Sequence, residues 1–355
     1  LPIFLNNRLN VSFDAYIRDT KDMLMAGKTL PGVYGASSPR MNVADLRTKG
    51  WEASITWGDS FTLASKPFNY RVMAGIGDNT SKVTKYDNPN RTLTDPYEGQ
   101  QLGEIWGYVV DGYFKTDEEA RNYKVDQSFV NQMINASALD NGLHAGDLKF
   151  VDLDGNNKIE QTTSANDRKD MKVIGNSLPR YNYNFGISAD WYGIDFSVLF
   201  QGIGKQNWYP GAETSMFWGP YSRPYASFIP SDFMSQVWSE ENTDAYFPRP
   251  RGYVALGSNR ELAVVNTKYL QNLAYCRLKN LSIGYTLPDK WLSKIGFEKI
   301  RVYFSGENLL TFTKLHSDYI DPEQASASNS WKTSKSDANI YPWAKTYSFG
   351  VDITF

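Results

Sequence analysis

The chain has 355 residues, 37 Lys+Arg against 39 Asp+Glu, and an unusual load of aromatics, with 23 Tyr, 19 Phe and 10 Trp. Near-neutral charge without basic blocks excludes a nucleic-acid binder, and the lack of like-charge runs excludes a disordered tail. No run of about 18 apolar residues exists, which excludes a transmembrane helix but not a barrel, whose strands need only about 9–11 half-polar residues.

Taken in chain order, a period-two alternation recurs. Arg8 to Arg18 sets Leu9, Val11, Phe13, Ala15 and Ile17 against polar residues, a clean strand over 8–18. The same holds for 50–58, with Trp51, Ala53, Ile55 and Trp57 on one face, and for 68–77, with Phe68, Tyr70, Val72, Ala74 and Ile76. A hairpin follows at 181–190 and 194–202, joined at Trp191 and Tyr192. A further pair lies at 273–287 and 300–308, and the slip of phase between Leu278 and Leu281 predicts a bulge. The last strand, 345–355, places Tyr347, Phe349, Val351, Ile353 and Phe355 on one face and Thr346, Ser348, Gly350, Asp352 and Thr354 on the other.

Connections alternate between short and long. Asp59 to Pro67, Trp191 to Tyr192 and Pro288 to Lys299 are short; 20–49, 78–180, 203–272 and 309–344 are long and rich in Gly, Pro, Asn and aromatics. Long structureless loops are uncommon in a compact soluble domain, whereas an outer-membrane barrel has short periplasmic turns and long outer loops. The expected fold is therefore all-β, a transmembrane antiparallel β-barrel built from about eight strands, with both chain ends on the periplasmic side.

Loop motifs with chemistry are few. Asp152, Asp154 and Asn156 stand at spacings of two, as in the first half of a calcium loop, with Lys158 placed to offer a carbonyl, Ile159 as apolar anchor and Asp167 as a carboxylate able to close a lengthened loop. Asn157 takes the place of the usual glycine and tolerates the left-handed region. The bland reading is a turn whose Asp and Asn side chains satisfy their own backbone. Thr116 with Glu119 forms a capping box before Asp117 to Tyr123, and Ser231 is placed to cap Asp232 to Trp238. Trp208, Tyr209, Trp218, Tyr221, Tyr225 and Trp331 are candidate contacts for a sugar ring or peptide side chain; the alternatives are loop packing and an interfacial girdle. Isolated His144 and His316, lone Cys276, and the absence of a nucleophile elbow or phosphate loop argue against an enzyme.

Nine segments then match a family in order. They are NNRLNVSFDAYIRDTKDML at Asn6 to Leu24, NVADLRTKGWEASITW at Asn42 to Trp57, GEIWGYVVDGYFKTDEE at Gly103 to Glu119, GDLKFVDLDGNNKI at Gly146 to Ile159, VIGNSLPRYNYNFG at Val173 to Gly186, FQGIGKQ at Phe200 to Gln206, VWSEENTDAYFPR at Val237 to Arg249, CRLKNLSIGYTLP at Cys276 to Pro288 and FSGENLLTFTKL at Phe304 to Leu315. Over nearly its whole length the chain resembles the C-terminal part of SusC-like TonB-dependent transporters of the Gram-negative outer membrane. The resemblance implies that 1–355 is the C-terminal part of one 22-stranded plugged barrel, with the plug domain and TonB-engaging segment outside it. It implies import of oligosaccharides or oligopeptides, a SusD-like surface lipoprotein as lid, the TonB complex below, and outer-membrane lipid around the wall. The competing expectations are a small structural or adhesive barrel that binds a partner through its loops, and a soluble glycan-binding β domain. An open edge in lipid would leave main-chain groups unpaired at several kcal/mol each, so eight strands must either close on themselves or pair with strands outside the sequence.

Overall fold

The structure is a computed structural model; it describes all residues except 1–2, 7, 28–31, 38, 132–141, 223–227, 258–259, 293–295, 326–334 and 337–340. Eight long strands form one antiparallel sheet in sequence order: β1 (Leu9–Ala26), β2 (Arg40–Leu63), β3 (Lys66–Lys85), β4 (Arg180–Trp191), β5 (Ile194–Lys205), β6 (Tyr275–Thr286), β7 (Lys299–Thr313) and β8 (Thr346–Thr354). A two-residue stub, Ile3–Phe4, adds to the free side of β1. Among the described residues the stub and β8 are the two rims and do not pair with one another. The sheet is thus an open section of wall, as expected of the last strands of a larger barrel and unlike the competing small barrel closed on itself.

All eight strands lie where the alternation put them, but several are longer, β7 among them, which runs on to Thr313. β1 runs on to Ala26, β2 begins at Arg40 and ends at Leu63, and β3 extends to Lys85. The connection expected over 20–49 contracts to 27–39, and the one expected over 59–67 to the two residues Ala64 and Ser65. Both have positive φ, 46° and 61°, the backbone that a tight hairpin of matching twist requires. The other long connections contract to 86–179, 206–274 and 314–345. At about 3.4 Å per residue the 24-residue β2 spans roughly 80 Å, far more than the 9–11 residues a bilayer needs. The hairpins of β1, β2 and β3 therefore project well beyond the apolar band. The predicted bulge in β6 is present, with the register shifting between Leu278 and Asn280.

The two faces separate cleanly. On one, Phe13, Ile55, Val72, Ile187, Ile283 and Phe349 are exposed large hydrophobics; an apolar face left open along every strand suits lipid, not water. At its short-turn end Phe61, Phe68 and Tyr70 cluster with ring centroids 5.0–6.3 Å apart, as an interfacial girdle would. The opposite face carries Ser, Gly, Asn, Asp and Arg. No helix among the described residues is long and apolar enough to cross a membrane, which says nothing of strands.

The hydrophobic core is not between sheets. It lies in the connections 86–179, 206–274 and 314–345, which pack together into one cluster that includes Phe150, Trp208, Trp218, Phe247, Tyr269 and Leu315. Short paired strands, Glu104–Tyr108 with Met171–Asn176 and Val110–Tyr113 with Leu148–Phe150, frame it. The capping box forms α1 (Asp117–Arg121): Glu119 N–H donates to Thr116 Oγ1 at 3.1 Å, while the Glu119 carboxylate accepts from Lys115 N–H at 2.8 Å. α1 stops at Arg121, short of the expected Tyr123. The segment expected over 232–238 is a 3-10 turn, Phe233–Gln236, flanked by Asp232 and not capped by Ser231.

Candidate functional site

The polar face of the wall is held by ion pairs that span strands. Arg301 of β7 sends Nε and Nη2 to Asp195 of β5 at 2.8 and 2.6 Å and Nη1 to Asp352 of β8 at 3.3 Å. Higher on the wall, Arg277 of β6 is 2% exposed and grips the connection 314–345. Its Nη2 donates to Asp321 at 2.7 Å, its Nη1 to Glu323 at 2.6 Å and its Nε to Thr311 at 2.9 Å. Lys279 donates to the same Glu323 at 2.7 Å and lies over the Trp343 ring. This bidentate clamp fixes the outer layer to the wall; planar guanidinium geometry makes Arg suited to it. The sequence did not pair Arg277 with Asp321 or Glu323, because these partners lie 44 and 46 positions away.

Four of the six aromatics expected to touch cargo are buried, a correction. Trp208, Tyr209 and Trp218 are fully enclosed and Tyr221 nearly so. Their polar tips are satisfied inside: Trp218 Nε1 donates to the Gly211 carbonyl at 3.0 Å, Tyr209 Oη to that of Leu262 at 2.8 Å and Tyr221 Oη to that of Pro248 at 2.6 Å. Packing, with each ring's polar end paired, is what these residues do. Tyr225 and Trp331 lie outside the described residues. In the same core Asp147 accepts from Arg249 Nε at 2.6 Å and from Arg251, and Arg251 Nε lies 2.6 Å from Glu261 without hydrogen-bond alignment. Burial pushes Glu261 upward, with Arg251 opposing.

His316 stacks on Tyr246 with ring centroids 3.5 Å apart and donates from Nε2 to Gln236 Oε1 at 2.8 Å. Burial holds its pKa down; Asp318 opposes this and Lys268 adds to it. The imidazole packs between the Tyr246 ring and the Gln236 amide.

The acidic loop has the expected backbone. Asp152 accepts from Gly155 and Asn157 N–H groups at 2.7 Å each, Asn157 has φ +62°, and Ile159 is fully buried as the anchor. The third carboxylate is Asp170, not Asp167. Asp152, Asp154 and Asp170 bring one oxygen each within 4.8 Å of one another, and Asp167 is not in the group. Asp170 is buried and accepts from Leu153 and Glu160 N–H at 2.9 and 2.7 Å. Its pKa is raised by burial first and then by Asp154 and Asp152, the electrostatic situation that a divalent cation relieves. Asn156 Oδ1 accepts from Lys158 N–H at 2.8 Å, and Asp154 holds the Asn156 amide. The donor set is all oxygen, which fits a hard cation.

An apolar-out, polar-in antiparallel sheet with long connections at one end defines a section of a transmembrane β-barrel wall. Comparison with known proteins places it further. The chain is 28% identical to TonB-dependent receptor P3 of Formosa agariphila over 99% of its own length and 33% of that protein's. It is 22% identical to TonB-dependent receptor SusC of Bacteroides thetaiotaomicron over 99% and 31%. Among solved structures, the RagAB peptide importer in its open-open state superposes with a TM-score of 0.68 at 21% identity, covering 99% of this chain and 33% of that one; the closed-closed state gives 0.64. No family model matches. The resemblance drawn from the nine ordered motifs is borne out: along nearly its whole length the chain is similar to proteins named TonB-dependent receptors, SusC among them, and it spans about a third of the length of the curated relatives it matches. These relatives are named as receptors, and the expectation that the chain is not an enzyme agrees with them.

Proposed function

We propose that this chain supplies wall and outer loops to a TonB-energised importer of the Gram-negative outer membrane, which takes up oligosaccharides or oligopeptides under a SusD-like lipoprotein lid. The observation that carries the reading is the wall itself: eight strands with an exposed apolar outer face, a polar inner face and a packed loop layer at one end only. Its open rims call for further strands, since unpaired main chain in lipid is costly. Homology to receptors and the fold shared with a peptide importer support transport over a purely structural barrel. The loop layer, rigid through its own core, would be the surface offered to the lid, and cargo would meet residues around that core and not the buried rings. A structural calcium held by Asp152, Asp154 and Asp170, with Asn156 and Lys158 alongside, would stiffen the layer.

The test is uptake by cells with and without the intact gene, using radiolabelled maltooligosaccharide and casein-peptide pools, repeated with a protonophore. Energy-dependent uptake of either pool that vanishes on deletion is expected, together with a lipoprotein that copurifies in detergent. Equal uptake of both pools in the two strains, with no copurifying partner, would refute the reading.

A further inference from the structure

Five serines form one row on the inner wall. The register sets Ser188 of β4 opposite Ser197 of β5, Ser197 opposite Ser282 of β6, Ser282 opposite Ser305 of β7, and Ser305 opposite Ser348 of β8. Arg71 of β3 stands at the end of the row beside Ser188. Residues directly across from one another share a face, so all five hydroxyls project from the polar side, opposite the lipid-facing Ile187, Ile283 and Phe349. Elsewhere on this face hydroxyls bond to each other directly, Ser12 to Ser54 at 2.6 Å and Thr48 to Ser81 at 2.7 Å. Among the described residues none of the five makes a hydrogen bond to another protein group.

The row is open, and the charges around it are mixed: Arg71 ends it, Asp190, held by Asn69, lies in the next row towards the short turns, and Glu307 lies in the next row towards the loops. In the next row towards the short turns, Gly284 and Gly350 allow neighbouring side chains to lie flat: a Cβ on Gly350 would meet the Tyr303 ring at 2.3 Å, and one on Gly284 the Arg301 Nε at 2.6 Å. Towards the short turns Arg301 is shared between Asp195 and Asp352, one cation for two carboxylates, and near the loops Arg277 and Lys279 balance Asp321 and Glu323. Positions directly across an antiparallel sheet are alternately about 4.5 and 5.5 Å apart. Two hydroxyl hydrogen bonds of about 2.8 Å reach up to about 5.6 Å through one intervening oxygen, so a single water can bridge each step.

We propose that this serine ladder binds a file of bridging waters and thereby makes a wetted strip of hydroxyls on the wall over which polar cargo moves without being held. A hydroxyl both donates and accepts, and a bridging water is nearly as good a partner as a direct bond. The strip therefore meets amide and hydroxyl groups of either polarity through exchangeable contacts. Passage needs binding that is weak and repeated, and equivalent uncharged hydroxyls supply that. The water site stands on the wall geometry alone; its role in passage rests on the importer reading.

The experiment is done on the native polypeptide purified from outer membranes. A structure at a resolution that shows other bound waters is expected to show one between consecutive ladder serines, and Ser282→Ala is expected to break the file at its middle. In cells, the triple variant Ser188→Val, Ser282→Val and Ser348→Val should take up the labelled maltooligosaccharide or casein-peptide pool several-fold more slowly. The triple threonine variant, of similar volume but with the hydroxyls retained, should match the unaltered protein. Clear density without waters along the row overturns the site. A valine variant that transports normally, or a threonine variant as slow as the valine one, overturns the role in passage. If the unaltered protein imports neither pool while the waters are in place, the importer reading fails and the water site stands.

Discussion

Removing the guanidinium of Arg277 isolates the contribution of the clamp between wall and loops. In Arg277→Ala, Asp321, whose side chain is 6% exposed, keeps only backbone N–H partners, while Glu323, at 22%, keeps Lys279 at 2.7 Å. Breaking a buried ion pair from one side costs about 3–5 kcal/mol; with Glu323 still paired and partly wet, the low end, about 3 kcal/mol, applies. The loss should be local, because the wall retains its main-chain ladders. The reporters are the amides of Gln324 and Ala325, both bonded to the Asp321 carbonyl at 3.2 and 2.9 Å. A local loss of about 3 kcal/mol corresponds to roughly a hundredfold faster hydrogen exchange there, with exchange in β1 and β2 unchanged. Arg277→Lys, which keeps the charge but not the fork, should fall between. Exchange at Gln324 and Ala325 that stays at the unaltered rate in Arg277→Ala would refute the clamp.

Three further outcomes are expected. Trp218→Ala, which empties a fully enclosed site and orphans the Gly211 carbonyl, should cost the loop layer about 3–5 kcal/mol; limited proteolysis of the purified protein should then cut within 206–274 while the strands stay resistant. Because burial depresses His316, an opened loop layer takes up that proton first, so stability is full above about pH 6.5 and declines as pH falls toward the folded value; proteolysis rates at pH 7.5 and 5.5 should differ, and His316→Gln should remove that part of the difference. Chelation followed by calcium titration should restore exchange protection to Leu153 and Glu160, the amides on Asp170, and Asp170→Asn should abolish the response; protection indifferent to calcium in the unaltered protein would dismiss the ion.

Much of the wall was legible because period two survives wherever one face must meet lipid. Leu9, Val11, Phe13, Ala15 and Ile17 show it without interruption, and the slip near Leu278 even marked a bulge. Legibility failed where that constraint lapses. Beyond Thr20 the strand passes Lys21 and Asp22, and a register shift before Met23 breaks the phase, so an outer extension with water on both sides reads as loop. The aromatics of 206–274 were visible as residues but not as a core, since nothing in Trp208 or Trp218 alone distinguishes a ring that stacks on cargo from one that packs; their density, with prolines between, was the available sign. Asp170 escaped because it enters the acidic loop from outside the spacing of a calcium loop, and Arg277 because its partners arrive from another connection.

The loop layer also dictates an order of events when the protein folds. Neighbouring strands such as β2 and β3, or β4 and β5, close over two-residue turns at small entropic cost. The aromatic core, by contrast, joins segments far apart in the chain: Tyr113 meets Tyr269 across 156 positions, and Leu148 N–H reaches Glu261 across 113. Contacts of that separation are slow to form until something else has brought them near. The wall is that scaffold, so the outer layer is expected to consolidate last, and an immature wall would display a ring of unpacked Trp, Tyr and Phe that needs shielding until the strands have registered.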